Sequence, residues 1–144
     1  MSQGTRGKTS ERAVKAELTK WAEQAAFAWY RPPDARAGSF LPTTCDYMAL
    51  NNGQMHLIEV KEVNHAYRLP CRNFDPAQEG RMHVWRHAGA KCWVLVYFSA
   101  ANVWRFIPLE SVLPRQVSSW DLSDLQTYDK ASYILSEIFN ADYP

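Results

Sequence analysis

The chain has 144 residues, 47% of them hydrophobic and 22% charged, with a formal net charge of +1. That length suits one domain around one core, and the composition is that of a soluble globular protein. No apolar run is long enough to span a bilayer, and the N-terminal Met-Ser-Gln-Gly-Thr-Arg-Gly-Lys lacks the apolar core of a signal peptide. Cys45, Cys71 and Cys92 are odd in number and lack zinc-finger spacing, so they read as reduced thiols of a cytoplasmic protein. Charge is unevenly placed. Residues 1–91 carry 13 Lys and Arg against 9 Asp and Glu, and residues 92–144 carry 3 against 6. The basic part is mild support for a polyanionic partner.

Taken in order, residues 1–8, ending at Lys8, read as a flexible basic arm of a single domain covering 1–144. Thr9 or Ser10 can cap a helix running to about Ala28, with Val14, Leu18, Trp21 and Ala25 as its apolar stripe. Glu11 lies on that stripe. A carboxylate there is favoured by the helix dipole, and one on a buried face can also reach a metal. Prolines and a glycine make 31–44 a loop, with Arg31 and Arg36 available to phosphates or simply to solvent.

Asn52-Gly53 reads as a two-residue hairpin turn, since both residues tolerate positive φ. Counting back from it pairs Asn51 with Gln54 and Leu50 with Met55, and sets Asp46 opposite Glu59. Lys61 shares that face, because side chains alternate along a strand. Directly opposed side chains have Cβ atoms about 4.5–5.5 Å apart. Two carboxylates held so close repel, and a divalent ion with oxygen ligands relieves the repulsion. Met48, Leu50, Met55 and Leu57 lie on the charged face; Tyr47, Ala49, Ile58 and Val60 lie on the other. Both are apolar, as in a sheet covered on both sides. The plain alternative is a hairpin whose rim carries charge.

Residues 63–74 form a loop mixing His65, Tyr67, Arg68 and Arg72, a composition that suits nucleic acid. Asp75-Pro76-Ala77-Gln78 opens a helix with a capping box, and Gln78, Met82, Trp85 and Gly89 share a stripe. Arg81 adds charge to it. Cys92–Phe98 is a buried strand and Val103–Ile107 returns beside it. Residues 110–119 read as irregular, Asp121–Gln126 as a short helix, and Asp129–Asn140 as a final one.

The order of helix, Asp-bearing hairpin, Glu-x-Lys, helix, strand, strand and helix resembles the PD-(D/E)XK nuclease superfamily. It is most similar to RecU-type Holliday junction resolvases, of a compact, phage-like kind. The residues that carry the resemblance are Gly7-Lys8, Glu11, Thr44-Cys45-Asp46-Tyr47, Glu59-Val60-Lys61-Glu62, Asn73-Phe74, Gln78 and Cys92–Phe98. It implies an α/β restriction-endonuclease-like domain with a central mixed β-sheet flanked by helices. It also implies a Mg²⁺-dependent homodimer, with Mn²⁺ able to substitute, that nicks branched DNA at four-way junctions. Asp46, Glu59 and the Val60 carbonyl match the metal ligands. Lys61 matches the lysine beside the attacking water, and Glu11 and Gln78 match supporting positions. Lys8, Arg31, Arg36, Arg68, Arg72 and Arg81 are the expected phosphate contacts. RecU proteins carry a stalk between the first helix and the Asp strand, for which Arg31–Thr44 is too short. The alternatives are a less selective nuclease of exonuclease or restriction type and a non-catalytic DNA-binding relic. The intact Asp46, Glu59 and Lys61 set argues against the relic.

Overall fold

In the computed structural model, residues 3–33, 44–112 and 118–143 are described, with side chains from residue 9 onward. Five strands form the central sheet in the order β1 (Phe27–Tyr30), β2 (Tyr47–Asn51), β3 (Gln54–Val63), β5 (Lys91–Phe98), β6 (Val103–Pro108). β3 and β5 run parallel and the other pairs antiparallel, so the sheet is mixed. A parallel neighbour requires a crossover. It is made by β4 (Arg68–Pro70), a 3-10 turn (Cys71–Asn73) and helix α2 (Pro76–His87).

Each face of the sheet is a hydrophobic layer. Tyr47, Ala49, Ile58, Val60 and Leu95 pack against Val14 and Leu18 of α1 (Gln3–Trp21) and against Ile134, Leu135, Ile138 and Phe139 of α3 (Ala131–Asn140). Leu57, Val63, Cys92, Val94 and Val96 pack on the other side against Met82 of α2 and against Phe74. The near-continuous apolar reading of β5 follows from this double burial. All three cysteines are buried, and none is in a disulfide.

Several elements differ from the sequence reading. α1 starts at Gln3, so the expected flexible arm is helical from that residue on, and it ends at Trp21 rather than near Ala28. Ala26 takes φ +65° and turns the chain into β1, which pairs with β2 through Phe27↔Asn51 to Tyr30↔Met48. The expected 63–74 loop contains β4. The expected helix at Asp121–Gln126 is absent: β7 (Ser119–Asp121) pairs with β4 to make a separate two-stranded sheet. On α2, Asp75 caps the helix by accepting the Ala77 N–H at 3.0 Å, with Pro76 in its first turn. The inward residues are Met82 and Glu79, whereas Trp85, expected on the buried stripe, is exposed.

Candidate active site

The hairpin turn fixes the site. Asn52 at φ +49° and Gly53 at φ +83° make the two-residue loop, and the ladder runs from Asn51↔Gln54 to Tyr47↔Ile58. One step further Asp46 faces Glu59. The Asp46 N–H donates to Glu59 Oε1 at 3.1 Å, and the Val60 N–H donates to Asp46 Oδ2 at 2.8 Å. A strand residue's N–H and C=O point to the same side, so the Val60 carbonyl also faces the Asp46 side. The Lys61 ammonium reaches Glu59 Oε2 at 2.9 Å and sits 5.0 Å from the centre of the Phe74 ring.

Asp46 has its carboxyl pushed up to about 9. Burial is the largest cause, followed by the Glu59 charge; the Val60 N–H opposes them, and Glu11 adds to the rise. The neighbouring Cys45 thiol is pushed far above its ordinary range, first by burial and then by Glu59, so it is an inert core group.

Among the described residues no group of three or more His, Cys, Asp or Glu forms a preformed metal cage. Mg²⁺ does not need one. It is commonly held by one or two carboxylates, with waters and substrate phosphates completing the octahedron. Asp46, Glu59 and the Val60 carbonyl are an all-oxygen set of that kind. The part of the Asp46 rise that comes from the Glu59 charge, second to burial, is what a cation at this point would remove.

A sequence profile of the family described as RecU, Recombination protein U, matches residues 36–128, well over half of the chain. This chain belongs to the RecU family. Among solved structures it is similar to Hjc of Archaeoglobus fulgidus, described as a Holliday junction resolvase from an archaeal hyperthermophile. The TM-score is 0.57 at 26% identity, covering 80% of this chain and 88% of Hjc. It is also similar to I-Ssp6803I, a bacterial homing endonuclease, with TM-score 0.53 and 12% identity over 97% of this chain and 95% of that one. At that identity the second likeness shows the fold alone. No curated protein sequence matches. The RecU-family chain thus has the PD-(D/E)XK nuclease fold, and its family and fold make it a nuclease, a hydrolytic enzyme.

The remaining expected residues fall at different distances from the Asp46 and Glu59 pair. Glu11 is close: its carbonyl accepts the Tyr47 hydroxyl at 2.9 Å, and its carboxylate pairs with Arg31 at 3.5 Å. Arg31 also lies over the Tyr47 ring at 5.9 Å. Gln78 is half-buried on the first turn of α2, on the sheet face that carries Lys61, and among the described residues it has no hydrogen bond to Asp46, Glu59 or Lys61. Arg81 lies one turn further along. Arg68 and Arg72 line a cavity of about 570 Å³ beyond the end of β3. Lys8 falls within α1, its side chain outside the described residues, and Arg36 lies outside them altogether.

Two features of the site escaped the sequence reading. Phe74 forms the floor under Lys61, and its signal was the Asn73-Phe74 pair that carries part of the family resemblance. Buried Glu62, on the opposite face from Lys61, accepts a hydrogen bond from the Ser10 hydroxyl, tying α1 to β3 directly behind the site. Ser10, read from the sequence as a candidate cap but lying inside α1, gave no hint of that partner.

Proposed function

We propose that this chain is a Mg²⁺-dependent, structure-selective DNA endonuclease that resolves four-way junctions by paired phosphodiester hydrolysis. The observation that carries the reading is the meeting of Asp46, Glu59 and Lys61 on one face of the sheet, two acids and an ammonium held by backbone and ion-pair contacts. The RecU family and the nuclease fold support a junction-resolving nuclease. The enzyme is read as one nuclease domain over 1–144, working in the cytoplasm of a bacterium or of a phage's host. No helix among the described residues is long and apolar enough to cross a membrane.

A Mg²⁺ ion, with Mn²⁺ as a substitute, would be held by Asp46, Glu59 and the Val60 carbonyl, and would supply Lewis-acid polarisation of the phosphate and a more acidic water. Lys61, fixed between Glu59 and the Phe74 ring, has ammonium hydrogens to spare for a phosphate oxygen. It puts positive charge where the pentavalent phosphorus gains negative charge. Glu11 supports from the α1 side by adding negative potential at Asp46, and Gln78 is the supporting residue on α2. Lys61→Ala should therefore lower kcat by about 10²–10³-fold with little change in junction affinity, read by single-turnover cleavage and by anisotropy. A loss confined to affinity would move Lys61 out of the chemistry.

Phosphates are assigned to Lys8, Arg31, Arg36, Arg68, Arg72 and Arg81. Binding should weaken steeply with salt, by about 0.9 in log K per decade of salt for each phosphate neutralised. An affinity independent of salt contradicts this surface.

Two symmetric nicks require two sites, and a chain with one Asp46, Glu59 and Lys61 set supplies one, so the working form is read as a two-fold homodimer. Tyr133 and Tyr143 are exposed aromatics available to such an interface, whereas Trp104, Tyr128 and Phe139 are buried in the core. A less selective nuclease is the second reading, favoured by the shortness of Arg31–Thr44. Cleavage of a four-way junction compared with linear duplex of the same sequence separates the two. Strong preference for the junction supports resolution, and equal rates support the general nuclease.

A further inference from the structure

We infer that the cavity beside Lys61 takes one unstacked nucleotide of the strand being cut, and that Asn64 and Asn73 read its base. This rests on the nuclease reading above and adds a basis for sequence preference to it.

The cavity starts at Val63, two residues beyond Lys61 on the same strand and the same face, about 6.6 Å along β3. A strand whose phosphate lies at Lys61 is therefore at the cavity mouth. Its volume of about 570 Å³ lies within the range of pockets that enclose small organic ligands, and far exceeds what a phosphate group fills. The walls are of two kinds. Val63 and Pro70 offer apolar surface for the flat of a base. Asn64 and Asn73 offer amides, each with donors and an acceptor, which is what the edge of a base requires. The Ser99 hydroxyl is shared between the Val63 carbonyl at 3.3 Å and Asn64 Oδ1 at 3.4 Å, which leaves the Asn64 NH₂ for a ligand. At the rim, Arg72 has no acidic partner among the described residues, and Arg68 donates to Ser119 Oγ at 3.2 Å and forms an exposed ion pair with Asp121 at 3.7 Å, which a phosphate would have to share. These two cations suit the flanking phosphates.

The cavity is also preformed. Arg68, Leu69 and Pro70 pair with Asp121, Trp120 and Ser119, and fully buried Leu69 anchors that small sheet. The loop before it is held by Arg105 Nη1 donating to the Ala66 carbonyl at 2.8 Å, with Arg105 itself buried over the Phe98 ring. His65 Nδ1 accepts the backbone N–H groups of Tyr67 and Arg68 at 3.1 and 3.0 Å. That fixes its proton on Nε2 as a standing donor. Such rigidity selects a ligand rather than merely attracting charge. Extruding a base costs least where stacking is already interrupted, as at a branch point.

The test places 2-aminopurine at each position flanking the cut in a four-way junction. The junction is bound to Asp46→Asn protein so that no cleavage occurs, and anisotropy is read in the same titration. The expected result is a fluorescence rise of several-fold at one position beside the scissile phosphate, abolished in the Asn64→Ala/Asn73→Ala background. In otherwise wild-type enzyme, the same pair of substitutions should collapse a base preference of about tenfold at that position to under about twofold. Asn64 is exposed, so Asn64→Ala alone serves if the double variant does not fold. Bound junctions with no bright position, or a preference unchanged by the substitutions, overturn the pocket and leave the nuclease reading standing. No binding to junctions at all takes both down.

Discussion

Asp46→Asn should lower cleavage by at least about 10³-fold and at the same time raise the melting temperature of the metal-free protein. The two effects have one origin. Asp46 is a carboxylate crowded by burial and by Glu59, with its pKa pushed up to about 9. In an unfolded chain it titrates near 3.9. The folded state therefore holds more protons across the interval between those values, and wild-type stability declines as pH rises through it. The amide has no charge to lose and still accepts the Val60 N–H. Its benefit should be small below about pH 4 and grow to its full size near pH 9. One pKa unit is worth about 1.4 kcal/mol, so a gain of several degrees at pH 8 is a modest expectation. Mg²⁺ should raise the melting temperature of the wild type, more so at higher pH as Asp46 ionises, and leave Asp46→Asn almost unmoved. An asparagine variant that melts well below the wild type contradicts the account of the pair.

The largest effect on stability is expected at the other end of the hairpin. The Asp142 carboxylate accepts from His56 Nε2 at 2.7 Å and Asn51 Nδ2 at 2.7 Å, and both residues are fully buried. Trp93 Nε1 donates to His56 Nδ1 at 3.0 Å, so the ring is a neutral imidazole with its proton on Nε2. Burial pushes its pKa below the ordinary value, in agreement, although Asp142 pulls the other way. Asp142→Ala strands the His56 N–H and one Asn51 N–H in the core. At about 1–3 kcal/mol per orphaned group, the cost is about 3 kcal/mol, roughly 10 °C in melting temperature. The network lies far from Asp46, so activity well below the melting point should stay within about threefold. A shift under about 2 °C would show that water replaces the carboxylate without cost.

The hairpin could be read from sequence because its information is local. Asn52-Gly53 permits only a tight turn, and counting outward from it places Asp46 against Glu59 without knowledge of the rest of the fold. α2 was readable from Asp75 and Pro76 for the same reason. The end of α1 was not. No glycine or proline separates Trp21 from Tyr30, and the chain leaves the helix because Phe27–Tyr30 gains a partner in β2. β4 and β7 are three residues each and exist through one another across about fifty positions, so neither has a period to detect. The Asp142 network and the Ser10–Glu62 contact are likewise products of tertiary approach. Of the site, Asp46, Glu59 and Lys61 were legible from spacing. The cavity lined by His65, Arg68 and Arg72 appeared in the sequence only as a basic, aromatic loop.

The central claim is that Asp46 and Glu59 hold a divalent ion between them. Anomalous scattering from crystals grown with Mn²⁺ tests it most directly. The account predicts a peak within about 2.0–2.3 Å of a carboxylate oxygen of each residue, with oxygen atoms alone in its coordination shell and the peak lost in Asp46→Asn crystals. A fully occupied ion elsewhere on the chain, with the Asp46 and Glu59 pair empty at saturating Mn²⁺, would contradict it.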